Sequence, residues 1–140
     1  MTFEELDQRF PNGFVDAEIR NLSVDYRNRT VVLEMNLRGN PPDSAKRDEY
    51  RRATLTARGF YYFSMEPPDP EHLHIQRPKI TVDGFSEDSA NFHLIQHLKT
   101  DLHVDTFICR FFVHDWNSFI HIAAKDAEFL WTEHGASGDN

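Results

Sequence analysis

The chain reads as a mainly β protein, an antiparallel two-layer sandwich or open barrel with one or two short helices. Three observations predict it. Apolar side chains alternate with polar ones at period two over several long runs, the spacing that hides one side of a strand and exposes the other. Twelve of the 140 residues are Phe, which suits a pleated, half-buried surface. Polar or Pro- and Gly-bearing breakers separate the runs at short intervals. At this length, folding buries about 68% of the surface that the unfolded chain exposes, enough for one core without cross-links. We therefore expect one domain over residues 1–133 and a flexible tail over 134–140, where small and polar residues cluster.

The elements follow in order. Thr2 and Glu5 have capping-box spacing, and Phe3, Leu6 and Phe10 recur at helical intervals, which predicts a short helix over residues 3–9. Pro11-Asn12-Gly13 ends it. Val15, Ala17 and Ile19 share one phase of a strand, whereas Leu22, Val24 and Tyr26 share the other. A phase change inside one run needs an extra residue, so a β-bulge is expected near Arg20-Asn21. A turn around Arg27-Asn28 should join this strand to the next, where Val31, Leu33, Met35 and Leu37 alternate with a more polar face. Gly39 to Ser44 reads as a loop. Ala53 to Met65 reads as a long strand bent at Gly59, with both faces apolar beyond the bend and so covered on both sides.

Glu66-Pro67-Pro68-Asp69-Pro70 is a stiff loop. Strand segments are expected at 72–76 and 79–83, interrupted by Pro78 and hence at a sheet edge. Leu94, Leu98 and Leu102 share a helical stripe, which predicts a short helix within 92–102. Phe107 to Val113 is a strong strand, and Asp115 to Ser118 a turn. Phe119 to Ala124 is a further strand, Lys125-Asp126 a tight turn, and Ala127 to Trp131 the last strand.

Charge narrows the range of functions. Residues 1–70 hold 10 basic and 12 acidic side chains and residues 71–140 hold 5 and 11, for a net charge of −8. An acidic field repels phosphate backbones, so neither nucleic acid nor an anionic membrane is an expected partner, and a basic protein is. The single cysteine, Cys109, lies among Phe107, Ile108, Phe111 and Phe112 and reads as a buried core thiol. The opening Met1-Thr2-Phe3-Glu4-Glu5 lacks the basic and apolar regions of a leader, and no run approaches a membrane span, which points to the cytoplasm.

Candidate site residues are few. Asp115, Trp116 and Asn117 lie between two apolar strands, where a turn needs only small polar residues. A Trp there is either an interaction anchor or a ring folded back over the edge of the core. Asp16 and Glu18, two apart, could act as acid and base, but they fit the outward phase of a strand whose inward phase is Val15, Ala17 and Ile19. His93, His97 and Asp101 would share one helix face and are weak metal candidates. His72 and His74 would share a strand face. Eight histidines make such spacings common by chance, and no HExxH pattern accompanies them. Lys46, Arg47, Arg51 and Arg52 form a basic group diluted by Asp48 and Glu49, ordinary surface patterning without a glycine-rich phosphate loop. No nucleophile elbow occurs. No catalytic residue, metal or cofactor is expected.

Three stretches carry a resemblance: Phe10-Pro11-Asn12-Gly13-Phe14-Val15-Asp16-Ala17, Tyr62 to Pro68, and the run from Phe111 to Trp131 that contains Asp115-Trp116-Asn117-Ser118-Phe119-Ile120 and Ala123-Ala124-Lys125-Asp126-Ala127. Together they resemble a family of small uncharacterised bacterial proteins, a likeness that implies no established activity. The opening hairpin is similar to the small β-rich immunity proteins of bacterial toxin systems, which bind and block a cognate toxin. The leading expectation is therefore a non-catalytic protein-binding module. The alternative is a small-molecule-binding or enzymatic β-barrel whose pocket is lined by Phe60, Tyr62, Phe112 and Trp116. A homodimer formed through an edge strand is a third possibility.

Overall fold

A computed structural model describes residues 3–10, 13–14, 17–41, 43–72, 74, 79–82 and 107–132. Its elements are a helix, α1 (Phe3–Asp7), and six strands: β1 (Ala17–Asp25), β2 (Thr30–Arg38), β3 (Tyr50–Met65), β4 (Lys79–Val82), β5 (Phe107–Val113) and β6 (Ser118–Trp131). A 3-10 turn, Pro70–His72, lies between β3 and β4.

The strands run β1-β2-β3 as one meander and β4-β5-β6 as another, all antiparallel. β3 lies beside β6 and β1 beside β4, which closes the sheet into a barrel. The mainly β antiparallel expectation holds, but the sheet is neither a two-layer sandwich nor an open barrel, because the β1–β4 pairing closes the ring. The β1–β4 contact that completes the ring has two pairs among the described residues, Ala17 with Ile80 and Glu18 with Lys79. The long β3–β6 ladder runs from the Ala53–Trp131 pair to the Met65–Ile120 pair.

Period-two spacing builds the interior. In β2, Val31, Leu33, Met35 and Leu37 are all fully buried, and each alternates with a half-buried neighbour. Ala53, Leu55 and Ala57 continue that inner face across β3. Phe107, Cys109, Phe111, Ile120, Ile122 and Ala124 supply it from β5 and β6. Helix α1 closes the core with Phe3 and Leu6. The Phe3 ring lies 5.5 Å from Phe14, 5.9 Å from Phe107 and 5.7 Å from Phe111, tilted or edge-on to each as aromatic quadrupoles favour.

Two irregularities follow the expected pattern. The β1–β2 register shifts between Ile19 and Asn21, which is the expected bulge at Arg20. Where the bend of β3 is expected, Gly59 takes a φ of 67°, a conformation that side chains with a Cβ resist, and the β3–β6 register shifts just beyond it, between Phe60 and Tyr62.

Other expectations need correction. Lys125-Asp126 does not reverse the chain, because residues 118–131 form one continuous strand paired to β3 on both sides of that point. These two side chains are polar because they are exposed where β6 passes Gly59, and solvent exposure looks like a turn in sequence. His72 ends a 3-10 turn and His74 lies in a turn, so the pair shares no strand face. Pro70 at the first position explains this, since its fixed φ suits a helical turn and its missing donor costs nothing there. β4 is not an edge, for it pairs with β1 on one side and β5 on the other. Arg51 and Arg52 belong to β3. The helix expected within 92–102, the helix cap at Thr2 and the tail at 134–140 lie outside the described residues.

Candidate functional site

The Asp115-Trp116-Asn117 turn is the site residue group best defined by the structure. It connects β5 to β6, and it is tight. Trp116 N donates to Val113 O at 3.0 Å and Asn117 N to His114 O at 3.3 Å. Asn117 takes a φ of 50°, the left-handed conformation that Asn tolerates better than most residues. The Trp116 ring is half-buried and packs against the barrel core. It is thus folded back over the core edge and keeps one part in solvent. Asp115 Oδ1 lies 3.6 Å from His114 Nδ1, a surface pair of little energetic weight.

A second segment, distant in sequence, is stapled to this turn. Asp69 N donates to Trp116 O at 2.8 Å and Glu66 N to Phe119 O at 2.9 Å, while Phe119 N donates to Glu66 Oε1 at 3.0 Å. Asp69 Oδ1 in turn accepts from Glu71 N at 3.0 Å. The Pro-rich loop after β3 is therefore tied to the β5–β6 turn and the start of β6, and the joined segments carry Glu66, Asp69, Glu71 and Asp115 together with the half-buried Trp116. Sequence reasoning found Asp115, Trp116 and Asn117. It missed Glu66 and Asp69, because their part depends on backbone bonds between segments about 50 residues apart.

The remaining candidates fall elsewhere. Glu18 lies on the outward phase of β1, where its Oε1 accepts from Asn36 Nδ2 at 3.1 Å across the β1–β2 ladder. Asp16, His93, His97 and Asp101 lie outside the described residues, so the Asp16–Glu18 pair and the helical metal set have no geometry to report. Among the described residues no group of three or more His, Cys, Asp or Glu is placed to hold a metal ion, and no helix is long and apolar enough to cross a membrane. The four aromatics of the pocket reading are divided by the sheet. Phe60 and Trp116 pack on the inner core, and Tyr62 packs with Ile108 and Ala123 on the outer side. Phe112 alternates outward on β5 and stacks on Phe119, with ring centroids 4.8 Å apart.

Comparison with protein-family models, curated proteins and solved structures gave no match for this chain. Its chemistry must be read from its own side chains.

The outer face of β5 and β6 holds a second polar group that the sequence does not reveal. Arg110 and His121 face each other across the ladder on the outward phase, yet they are only 5% and 3% exposed. The Arg110 guanidinium lies 4.1 Å from the centre of the Phe119 ring. His121 Nδ1 is 3.2 Å from Ser64 Oγ on β3. Burial holds the His121 pKa below its ordinary value, and the neighbouring Arg110 charge lowers it further, while Glu66 opposes the shift. Burial, helped by the charge of Glu4, drives the Cys109 thiol far above the ordinary thiol range. It is therefore an inert core group, as its apolar flanks predict.

Proposed function

We propose that this protein is a non-catalytic, cytoplasmic protein-binding module that docks a basic partner on the rim formed by residues 66–71 and 114–117. One observation carries the reading: hydrogen bonds staple Asp69 to Trp116 and Glu66 to Phe119, which joins two segments that carry four carboxylates and a Trp with one part in solvent. Trp is enriched at interaction hot spots, and the net charge of −8 would speed the approach of a cationic partner. A bacterial immunity protein that covers a basic toxin surface would work in this way, and the likeness of the opening hairpin to such proteins supports that form of the proposal.

The test is affinity capture from the native cell with two baits, the wild-type protein and the double variant Asp69→Lys/Asp115→Lys. The reading requires a partner that the wild-type bait holds at low salt, releases at high salt and never shares with the variant. Unchanged melting of the variant shows that the fold is intact. Equal recovery on both baits, or none on either, rejects it.

A further inference from the structure

We propose that two copies of this chain pair through the outer edge of β1, residues 21–25 of each running antiparallel about a two-fold axis at Ser23. β2 flanks β1 from Glu18 to Asp25, but on the other side β4 reaches only Ala17 and Glu18 among the described residues. The main chain from Asn21 to Asp25 therefore has one side without a ladder partner among those residues. Burial marks the same side as open. Leu22 and Val24 lie opposite Leu33 and Val31 and share their inward phase. Leu33 and Val31 are fully buried, whereas Leu22 and Val24 pack on the core yet stay half-buried. Tyr26, which follows them into the turn, is 74% exposed, with its ring edge-on to Phe60 at 5.7 Å. An added strand would cover what remains exposed of this apolar row and satisfy the backbone groups on its outer side.

The order of side chains along this edge selects a second copy in antiparallel register. Arg20 stands at one end and Asp25 at the other, both exposed. Asp25 stays ionised, because hydrogen bonds from Asn28 N and Nδ2 at 3.1 and 2.8 Å hold its carboxyl below the usual carboxylate range. A parallel match would set Arg20 against Arg20 and Asp25 against Asp25, and like charges directly opposite destabilise a pair. The antiparallel match brings each Arg20 to the Asp25 end of the other strand. With Ser23 on the axis, Leu22 faces Val24 of the other copy, so apolar meets apolar. Asn21 faces Asp25 of the other copy. Its Nδ2 gives one hydrogen to Glu34 Oε2 at 3.0 Å and keeps a second for that carboxylate. The bulge at Arg20 limits pairing to this short run. A two-fold contact uses each edge once, so it closes at the dimer and does not propagate. The net charge of −8 repels a second copy at long range. Physiological salt screens that field beyond about 8 Å, whereas the pairs within the contact are closer.

Sedimentation equilibrium of the full chain at physiological salt should show a monomer–dimer equilibrium. Ser23→Lys sets two ammonium groups on the axis and Arg20→Glu reverses the charge at both ends, and each should weaken the dimer at least about tenfold. Both positions are exposed, so unchanged melting of the dilute variants shows that the fold is intact. Ser23→Cys reads the register. Residues directly opposite have Cα atoms about 4.5–5.5 Å apart, within disulfide reach, so a mild oxidant should link this variant to itself. Asn21→Cys, which faces Asp25 rather than its own copy, should not link, and Cys109 is buried and adds no cross-link. The proposal is overturned by a monomer mass at every concentration up to about 1 mM, by a dimer indifferent to both charge substitutions, or by equal linking of the two cysteine variants. Loss of the dimer in Asp69→Lys/Asp115→Lys would also overturn it, by moving the contact to residues 66–71 and 114–117.

Discussion

β2 and β5 are strands of one barrel, yet they are built on different rules. In β2 every second residue is buried and those between are half-exposed, so water reaches one face. In β5 all residues but Phe112 are buried, and β6 follows the same rule from Ile120 to Ala124. β3 alternates from Ala53 to Ala57, but beyond Gly59 it is not covered on both sides as its apolar residues predict: Tyr61 and Met65 are exposed, and Tyr62, Phe63 and Ser64 are half-buried, with Tyr62 packed against Ile108 and Ala123 on the outer side. The barrel thus has a wall wetted on one side, in β2, and a wall buried on both, in β5 and the first part of β6. An outward position does not mean an exposed one, and the two walls should respond differently to the same substitution.

The largest difference is expected for a charge on an outward position. Ile108→Asp buries a carboxylate on the outer face of β5 and should cost on the order of 4 kcal/mol or prevent folding. Val32→Asp, also outward but half-buried on β2, should cost about 1 kcal/mol. Chemical denaturation of the two variants side by side is decisive, and equal losses would remove the distinction between the walls. Next comes truncation. Ile108→Ala should lose about 2 kcal/mol or more because it leaves a cavity, and Val32→Ala less than about 1 kcal/mol.

The Gly59 conformation is itself testable. Gly59→Ala forces a Cβ into φ 67°, with that atom 3.2 Å from Lys125 Cβ. A loss of about 1–2 kcal/mol in thermal or denaturant unfolding is expected. A stabilised variant would show that β3 does not need this conformation at Gly59.

The doubly buried wall should also be the acid-sensitive one. The folded state keeps His121 neutral to a pH below its ordinary pKa of 6.5. As pH falls from about that value the unfolded chain binds its proton first, so stability held at neutral pH is lost toward the folded-state pKa. Unfolding free energy should therefore rise with pH across this window, and His121→Gln should flatten the slope. An unchanged slope would place the acid response elsewhere. The smallest effect is expected at Ser118, whose hydroxyl is fully buried on the inward phase and has no hydrogen-bond partner among the described residues. Ser118→Ala should be neutral or gain up to about 1 kcal/mol, because it deletes an unsatisfied polar group. A clear loss would mean that the hydroxyl is bonded in solution.

Much of this architecture is written in local spacing. Alternation placed Leu33, Leu55 and Phe111 on one inner face, the phase change announced the bulge at Arg20, and Gly59 marked the irregularity of β3. These depend on neighbours one or two residues away, because strand geometry sets side-chain direction at period two. The sequence also marked Trp116, whose ring is too costly to leave wholly in water. Three features needed the tertiary structure: the pairing of β3 with β6 and β1 with β4, the stapling of Glu66 and Asp69 to the Trp116 turn, and the burial of Arg110 and His121 on an outward phase. Each depends on segments far apart in the chain. Alternation tells which way a side chain points, whereas only the packed fold decides whether it meets water, protein or a distant backbone amide.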